Sequence, residues 1–480
     1  MKNYLFLLCG AVCLLVASCT KDEINYPFAV TEKAKPVSGP VIVLPPSGGD
    51  DTEALLEALN SASPGSTIQL TAGEYHLRYI EVYGFSGCLR GAGRDKTVIS
   101  TYGLIDQAAQ EALNYLPAWV KFIGGDVTLS DFAFDTGDGS LVTEPDLYYN
   151  QTLISLLSVN NYNQVFNSDE HQHMKFRIMN VDFHCGDMDP ELSYLNQPYN
   201  VLMALWIGSD VFWPLEDIIL TAGRYEIINC SVDNAFQGYE AFSLGEDAVL
   251  TIDRCSATDC LYGAYFTANY DSKVFISNNT FKTSLEGVLI EDNDWGLIPW
   301  VIPFRSVEYT VYGNAFWPGP GSRALTFKDS RGVISPDNYK PVLGIVKNNF
   351  LNLTEGSTGI SCLNNIGATV KNNRFTGTGT AGVYINGAMV YDVWTGEELG
   401  TGESENVLIL GNNFNDLEPT EAHIVLGELS KNCTVVGNGK ESVIDLGTNN
   451  IVVGMKKTEG GYHAGLMIKD NLRMMHGMNR

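Results

Sequence analysis

One short sequence pattern recurs through the second half of this 480-residue chain. An aliphatic residue is followed by two or three polar residues, often Asn-Asn, and then by Phe. Clear copies are ISNNTF at 276–281, VKNNF at 346–350, VKNNRF at 370–375 and LGNNF at 410–414. With weaker copies included, one column runs through Cys230, Cys255, Asn279, Asn314, Asn349, Asn373 and Asn413, at spacings of 25, 24, 35, 35, 24 and 40 residues. A base period of about 24 residues with insertions restricts the chain to a repeat architecture.

A second set of short β-prone segments alternates with the first. Its members are AFSL at 241–244, AYF at 264–266, VLI at 288–290, ALTF at 324–327, ISC at 360–362 and VYI at 383–385. Gly and Asn turns separate the segments, and no helical period of useful length accompanies them, which excludes helical solenoids. Short coils that pair only with their neighbours predict an all-β parallel β-helix. Asn at a fixed turn position suits left-handed backbone and stacking, so we assign the column no catalytic role.

An amphipathic segment stands before the repeats. The sequence DDTEALLEAL at 50–59 combines an acidic N-cap with apolar residues at helical spacing, and predicts an N-terminal capping helix over the open end of the stack. The sequences PGSTIQL and AGEY follow at 64–70 and 72–75. This order resembles the N-terminal segment of the pectin-lyase-like superfamily, which implies a right-handed single-stranded parallel β-helix. The resemblance is silent on reaction, because that fold hosts lyases, hydrolases, epimerases, tailspikes and binding proteins.

The N-terminus has the features of an export signal. Lys2 precedes an apolar run at 5–16 that is short for a membrane span. The sequence VASC at 16–19 resembles the bacterial lipobox, which implies cleavage before Cys19 and lipidation of that residue. The next residues, TKDE, are similar to the surface-export signal of Bacteroidota lipoproteins. We therefore expect a surface-exposed, lipid-anchored protein of the outer membrane, with a signal peptide at 1–18, a lipidated tether at 19–49, a β-helix at 50–450 and a tail or cap at 451–480.

Charge and cysteine content narrow the partners. Thirty basic and 56 acidic residues give a net charge of -26, and removal of residues 1–18 takes away one Lys and no acid, which leaves -27. This acidity argues against a nucleic-acid partner and is a poor match for a polyuronate. Seven cysteines follow Cys19, an odd number without metal-ligand spacing. They predict free, buried thiols rather than a disulfide framework or a zinc site.

Four long insertions are predicted to leave the coils at one corner, at residues 208–224, 291–308, 328–341 and 386–405. They and the adjoining strands contain the candidate substrate-binding aromatics: Trp206, Trp213, Tyr265, Trp295 and Trp300. Leu205 and Ile207 take inward positions, so Trp206 is expected to point outward. Exposed rings beside carboxylates suit sugars, because rings stack on pyranose faces and acids accept hydroxyl protons. The alternative is that these aromatics pack the loops onto the wall.

Charged residues on the same surface are the candidate catalytic groups: Glu291, Asp292, Asp294, Lys328 and Arg331. Alternation along neighbouring coils places Tyr265 beside Leu289 and Glu291 beside Lys328. A glycoside hydrolase needs two carboxyl groups about 5–10 Å apart, a distance that adjacent coils supply. A polysaccharide lyase needs a base and a cation, roles that suit Lys328 and Arg331, with Tyr265 as a donor. The alternative is that Glu291 and Lys328 form a plain surface ion pair.

Three further observations bound the site. The sequence Asp-Asn-Asp at 292–294 suits either a Ca²⁺ loop or an Asx-turn, so Ca²⁺ is the one candidate cofactor. Glu240 and Glu286 are interpreted as solvated turn acids at equivalent positions two coils apart; the alternative is an acid pair, because a separation of about 10 Å suits an inverting hydrolase. The residue patterns of polygalacturonase-like enzymes and of alginate and chondroitin lyases are not found, so the resemblance ends at the fold.

These features predict a cell-envelope lipoprotein that binds polysaccharide on the wall carrying residues 206–217, 291–300 and 328–331. If it is an enzyme, it is a polysaccharide lyase or a glycoside hydrolase, and its acidic charge favours neutral glycans. The alternative is a non-catalytic adhesive or structural surface protein, for which an aromatic surface alone suffices.

Overall fold

The structure is a computed structural model that describes only part of the chain. It describes residues 39–104, 118–137, 153–160, 174–187, 200–208, 221–245, 247–267, 269–292, 307–329, 333, 342–391, 397–438, 442–453, 456–458 and 461–463. Within these ranges, only the backbone is described at 153–154, 292, 456–458 and 461–463.

The described residues form one helix and many short strands. The helix is α1 (Thr52–Ser61). The strands are β1 (Val41–Leu44), β2 (Ser66–Leu70), β3 (Gly73–Leu77), β4 (Ile80–Tyr83), β5 (Ser86–Arg90), β6 (Thr97–Thr101), β7 (Ala118–Ile123), β8 (Asp126–Asp135), β9 (Leu153–Asn160), β10 (Met174–His184), β11 (Val201–Gly208), β12 (Gly223–Ile228), β13 (Ser231–Asp233), β14 (Gln237–Phe242), β15 (Val249–Asp253), β16 (Ser256–Thr267), β17 (Lys273–Ser277), β18 (Thr280–Asp292), β19 (Glu308–Tyr312), β20 (Ala315–Pro318), β21 (Arg323–Asp329), β22 (Leu343–Lys347), β23 (Phe350–Leu353), β24 (Thr358–Leu363), β25 (Thr369–Lys371), β26 (Arg374–Asn386), β27 (Met389–Tyr391), β28 (Glu398–Thr401), β29 (Ser404–Glu405), β30 (Leu408–Leu410), β31 (Asn413–Leu426), β32 (Ser430–Lys431), β33 (Thr434–Val436), β34 (Ser442–Asp445), β35 (Ile451–Val453), β36 (Lys456–Thr458) and β37 (Gly461–His463).

Successive strands build three parallel walls, and each strand pairs with its counterpart in the next coil. The first wall contains β1, β2, β5, β12, β15, β17, β19, β22, β25, β30, β33 and β35, with the starts of β8 and β10. The second wall contains β3, β6, β13, β20 and β23, with the ends of β8 and β10 and the starts of β16, β18, β26 and β31. The third wall, which carries the candidate site, contains β4, β7, β9, β11, β14, β21, β24 and β34, with the ends of β16, β18, β26 and β31. The fold is the predicted right-handed single-stranded parallel β-helix.

The pairing register reproduces the spacing of the sequence repeat. Arg224 pairs with Val249, Val249 with Lys273, Lys273 with Glu308, and Glu308 with Leu343, steps of 25, 24, 35 and 35 residues. The longer steps arise where a segment leaves after a third-wall strand and returns to the first wall. The four predicted insertions follow β11, β18, β21 and β26. The C-terminal ends of these four strands all lie in the third wall, so the insertions leave from one corner of the coil.

A ladder of asparagines lies inside the turn between the first and second walls. Asn349 is 2% exposed and accepts from the backbone and side-chain nitrogens of Asn314 at 2.8 and 3.0 Å. It also donates to Val311 O at 3.1 Å and to Asn373 Oδ1 at 3.0 Å. The residue before it, Asn348, takes the left-handed backbone with φ of 55°. The two asparagines of the motif therefore have different roles. The first adopts the left-handed backbone of the turn, and the second forms hydrogen bonds along the stack.

The predicted column of repeat positions misplaces one member of the ladder. Asn373 donates from both nitrogens to Asn412 Oδ1, at 2.9 and 3.0 Å, and Asn412 donates to Asn438. The predicted member, Asn413, is exposed and accepts only a local bond from Asn415 N. The prediction is wrong by one residue because Gly411 occupies the left-handed position there, with φ of 64°, and shifts the motif.

A column of glycines allows the second and third walls to meet closely. Its members precede the inward residue of the third wall: Gly238, Gly263, Gly287, Gly359 and Gly382. A Cβ added to Gly263 would lie 2.5 Å from Gly287 O and 2.5 Å from Phe281 Cδ1. The phenylalanines of the repeat stack in this space, as for Phe281 on Phe316 with ring centroids 5.3 Å apart.

We expect Gly263→Ala to lower the free energy of unfolding by about 2–4 kcal/mol, because the new methyl group would clash with the backbone of the paired strand, which strand pairing holds in place. Gly49→Ala is the control, since the atom nearest to its Cβ would be Ser47 Oγ at 3.9 Å. Urea unfolding of both variants checks this, and equal stability of Gly263→Ala and wild type would contradict it.

The ends of the β-helix extend beyond the predicted boundaries. β1 pairs with β2, so the last residues of the predicted tether belong to the sheet. α1 buries Leu55 and Leu59 in the core and lies against β4, while its role as a cap stays a prediction. At the other end, β37 pairs antiparallel with both β36 and β34. In the part of the chain that is described, no helix is long and apolar enough to cross a membrane.

The cysteine prediction is confirmed. The seven cysteines of the β-helix are all free and buried: Cys88, Cys185, Cys230, Cys255, Cys260, Cys362 and Cys433. Two of them extend the asparagine ladder, because Cys230 N donates to Cys255 Sγ at 3.4 Å and Cys255 N donates to Asn279 Oδ1 at 2.7 Å.

Candidate functional site

The outer face of the third wall carries a polar cluster across four neighbouring coils. Strand pairing aligns its side chains in three columns, which are Gln237, Tyr262, Glu286 and Arg323; Glu240, Tyr265, Leu289 and Thr326; and Phe242, Thr267, Glu291 and Lys328. Adjacent members of a column lie about 4.8 Å apart because that is the spacing of paired strands. The predicted neighbours Tyr265–Leu289 and Glu291–Lys328 are confirmed by this register.

Three of the predicted site residues meet at Glu291. Lys328 Nζ donates to Glu291 Oε1, and Tyr265 Oη donates to Glu291 Oε2 at 3.1 Å. The ion pair of the alternative interpretation therefore forms, and it is partly buried, because the side chains of Glu291 and Lys328 are 16% and 28% exposed. Burial, and then the charges of Glu291 and Glu240, raises the pKa of Tyr265 well above its usual value. Its hydroxyl therefore stays protonated and acts as a donor.

Glu286 is a buried acid beside this contact. Burial raises its pKa from 4.5 to about 7; Arg323 opposes that shift, and the charge of Glu291 adds to it. Arg323 Nη1 donates to Glu286 Oε1 at 3.1 Å, while Glu286 Oε2 has no hydrogen-bond partner among the described residues. A carboxyl with a pKa near 7 exchanges a proton readily at neutral pH. Perturbed carboxyls of this kind are concentrated at functional sites.

Glu240 is a second buried acid of the cluster. Burial raises its pKa well above the usual value, and its Oε2 has no hydrogen-bond partner in the described part of the chain. The interpretation of Glu240 and Glu286 as equivalent, solvated turn acids is wrong: each is 6% exposed, and Glu286 pairs with the column of Gln237 rather than with Glu240. Glu240 lies three positions after Gln237 along β14, so the two acids belong to different columns.

Sequence reasoning names these two acids but prefers the interpretation that they are solvated. Alternation around inward Tyr239 places Glu240 on the outer face, where residues are usually solvated. Glu286 lies two residues before inward Val288, so alternation does not predict its position, and only the structure shows that it bonds to Arg323. Nothing in the local pattern reports that they are covered.

Trp206 lies on the outer face as predicted, but it is not an exposed platform. Its side chain is 2% exposed and stacks on Phe242, with ring centroids 5.4 Å apart. Gly208 leaves the room for this stack, since a Cβ there would lie 3.1 Å from Phe242 Cβ and 3.1 Å from Trp206 Cε2. The prediction that Trp206 presents an exposed ring is therefore wrong, because the ring packs on Phe242 of the neighbouring strand of the same wall.

Several predicted site residues lie outside the described residues: Cys19, Trp213, Asp294, Trp295, Trp300 and Arg331. The backbone of Asp292 ends β18 and pairs with Asp329, and its side chain is outside what the structure describes. The roles predicted for these residues stay predictions. Among the described residues, no group of three or more His, Cys, Asp or Glu is placed to hold a metal ion. The Ca²⁺ loop also stays a prediction, because Asn293 and Asp294 are not described.

Two comparisons find no match for this chain: neither a protein-family model nor a curated protein matches it. Solved structures do match, and all of the following are below 25% identity and below a TM-score of 0.5. A PL6 alginate lyase in complex with a trisaccharide is 14% identical, with 89% of this chain and 91% of that chain covered and a TM-score of 0.47. The A-module of the Azotobacter vinelandii mannuronan C-5 epimerase AlgE4 is 13% identical, with coverage of 84% and 91% and a TM-score of 0.41.

A third similar structure is named as an adhesin. The Streptococcus pneumoniae surface protein and adhesin PfbA is 12% identical, with 87% of this chain and 98% of that chain covered and a TM-score of 0.43. Residue roles are not transferred from any of these structures. The class of this protein rests on its own strand pairing, which is that of a parallel β-helix.

The arrangement on the third wall separates two carboxyl environments. Burial raises the pKa of Glu286 to about 7. Glu291 instead accepts hydrogen bonds from the Lys328 ammonium and the Tyr265 hydroxyl. Pairs of carboxyls in contrasting environments are how proteins run acid and base steps together at one pH. The cluster also offers Arg323, whose side chain is 47% exposed, as a donor at the rim.

Proposed function

We propose that this protein binds a polysaccharide along the third wall and hydrolyses its glycosidic bonds. The observation that carries the proposal is the pKa of about 7 at Glu286, on the same face as the Glu291–Lys328–Tyr265 contact. Glu286 gives its proton to the glycosidic oxygen as the bond from that oxygen to the anomeric carbon breaks. Water attacks the anomeric carbon and passes its proton to Glu291. Lys328 and Tyr265 orient Glu291.

A hydrolase fits the cluster better than a lyase. A lyase of this kind needs a base strong enough to remove a carbon-bound proton, and Tyr265 is held protonated by burial. Lys328 is engaged with Glu291 rather than presented to a uronate. A chain of net charge -26 also repels a polyuronate, which favours a neutral glycan as substrate.

A non-catalytic glycan-binding or adhesive protein is the second candidate. The observation that favours it is the 7% exposure of the Glu286 side chain beneath Arg323, which is also the geometry of a structural ion pair. In that case the wall would hold glycan without cleaving it.

A depolymerisation screen of the full chain separates these two functions. Neutral and acidic polysaccharides would be incubated with the protein and followed by new reducing ends and by absorbance of unsaturated products. Hydrolysis predicts new reducing ends without unsaturation, and a lyase would give both. Glycan binding without either product would support the second candidate and overturn the first.

We also propose that the chain is a lipoprotein anchored in the outer membrane and exposed at the cell surface, on the basis of the VASC and TKDE sequences. Cys19→Ala is expected to abolish incorporation of a labelled fatty acid and to release the chain from the membrane fraction. Cys13→Ala is the control and should leave labelling unchanged. Labelling that persists in Cys19→Ala would refute the anchor.

A further inference from the structure

A cleft of about 530 Å³ lies at the corner that follows the third wall. Its sides come from the ends of β21 and β24 and from the insertion that carries β28 and β29. Polar side chains in its lining include Asp329, Asn364, Glu403 and Glu405, and Val333 and Leu429 contribute apolar surface. Its volume is in the range of small-molecule sites, about 300–1,000 Å³.

Asn364 supplies an observation that points to a ligand. The residue is 4% exposed, and its Oδ1 accepts from Ala388 N at 2.6 Å. Its Nδ2 has no hydrogen-bond partner among the residues that the structure describes. Buried amide donors are almost always satisfied, so an unsatisfied one in the wall of a cleft indicates that a ligand supplies the acceptor.

The insertion is built to keep the cleft open beside Asn364. Gly402 passes so close that a Cβ there would lie 2.5 Å from Asn364 Cγ. Its backbone nitrogen donates to Ala388 O at 3.1 Å, which ties the insertion to the segment that holds Asn364 Oδ1. Any larger residue at Gly402 would displace the asparagine, so the position of the free Nδ2 is fixed by backbone contacts rather than by chance packing.

The lining has the chemistry of a site for a neutral sugar. Glu403 and Glu405 can accept hydrogen bonds from hydroxyl groups, and Asn364 Nδ2 can donate one to a hydroxyl or ring oxygen. Lys431 Nζ lies 3.4 Å from Glu403 and 3.3 Å from Glu405, which orders the two acids without making the cleft basic. The apolar side chains suit the C–H face of a pyranose. A uronate would meet net negative charge here and be repelled.

The cleft lies close to the cluster on the third wall. Asp329 directly follows Lys328, and Asn364 directly follows Leu363, the residue that pairs with Lys328 in the next coil. Asn364 is therefore about one strand spacing, 4.8 Å, further along the stack than Lys328, and about two spacings further than Glu291. A single glycan chain that lies along the stack reaches both places.

We propose that this cleft is a binding subsite for a neutral hexose unit of the glycan, held by Asn364, Glu403 and Glu405. This subsite rests on the proposed function for its place on the glycan, but it makes its own prediction about binding. It predicts selectivity for neutral over acidic sugars at a site that contains no group of the cleavage cluster.

The test is calorimetric titration of the full chain with the hexasaccharides of β-1,4-glucan, β-1,4-mannan and α-1,4-glucan, and with hexagalacturonate. Asn364→Asp keeps the acceptor for Ala388 N but replaces the free donor by a charge. Thr401→Trp fills the cleft from an exposed position on β28. The control is Asn348→Asp, which makes the same substitution at an exposed left-handed position outside the cleft.

We expect both cleft variants to bind the preferred neutral hexasaccharide at least tenfold more weakly than wild type, and the control to bind equally well. Hexagalacturonate should bind wild type at least tenfold more weakly than the neutral ligand. Wild-type affinity in both cleft variants, equal affinity for hexagalacturonate, or no binding of any neutral hexasaccharide would each overturn the subsite.

The outcomes also separate the subsite from the proposed function. Cleavage by wild type, together with unchanged binding in both cleft variants, would refute the subsite and leave the hydrolase standing. Absence of cleavage, together with weaker binding in both cleft variants, would refute the hydrolase and leave the subsite standing.

Discussion

Replacement of Glu286 by Gln is expected to reduce glycan hydrolysis about 1,000-fold, because a positioned general acid contributes about 10²–10⁴ to the rate. Gln keeps the shape of the side chain and the acceptor for Arg323 but has no proton to transfer. The measurement is kcat/KM from reducing-end release on the glycan identified by the screen. Glu308→Gln is the control, since Glu308 is a half-exposed acid on the first wall, paired with Lys273.

The pH dependence gives the same prediction a second form. If Glu286 acts as the acid, kcat/KM should fall as pH rises through about 7, the pKa of its carboxyl. A profile that is flat from pH 6 to 8, or a Gln variant as active as wild type, would remove Glu286 from the mechanism.

Glu286 should also leave a mark on stability that does not depend on catalysis. Burial raises its pKa from 4.5 to about 7, so the folded state favours the protonated form. Below pH 4.5 both folded and unfolded chains are protonated, and above pH 7 the folded chain holds an unfavourable charge. Wild type should therefore lose about 3 kcal/mol relative to Glu286→Gln as pH rises from 4.5 to 7. Urea unfolding of both chains across this range measures the difference, and parallel curves would contradict the shift.

Asn412→Ala is expected to lower the free energy of unfolding by about 3 kcal/mol. The substitution strands Asn373 N, Asn373 Nδ2 and Val370 O inside the turn, and each buried group without a partner costs about 1–3 kcal/mol. Asn413→Ala is the matched control one residue away, because its side chain is exposed and makes only a local bond. It should stay within about 0.5 kcal/mol of wild type.

Urea unfolding of the two variants distinguishes the ladder in the structure from the column in the sequence. A larger loss in Asn413→Ala than in Asn412→Ala would restore the sequence alignment and refute the ladder assignment at this coil. Equal small losses would show that the ladder contributes little at the C-terminal coils.

The repeat can be identified from the sequence alone. Spacings of 25, 24, 35 and 35 residues in the motif are the spacings in the pairing register, because every coil must return to the same turn to place its Asn and Phe. The single error, Asn413 for Asn412, arose where Gly411 replaced Asn as the left-handed residue. Positive φ is open to both residue types, so the letters alone did not show which of two asparagines enters the stack.

The neighbouring side chains on the third wall can be predicted from the sequence for a similar reason. Side chains alternate along a strand, and coils pair in register, so Tyr265–Leu289 and Glu291–Lys328 followed from counting. Burial was not readable. Trp206 was expected to be exposed and lies under Phe242, and Glu240 and Glu286 were expected to be solvated and are 6% exposed.

The sequence by itself therefore determined the β-helix, the corner of its insertions and the order of side chains along each column, because these depend on local turns and a strand period of two. Tertiary structure alone decided which outer-face groups are desolvated. That depends on what packs over them from other coils, and desolvation is the largest cause of the raised pKa of Glu286 and of Glu240. Tertiary structure also decided the environment of Asn364, which no sequence pattern singles out. Its buried donor lies at a cleft formed by an insertion more than 30 residues further along the chain.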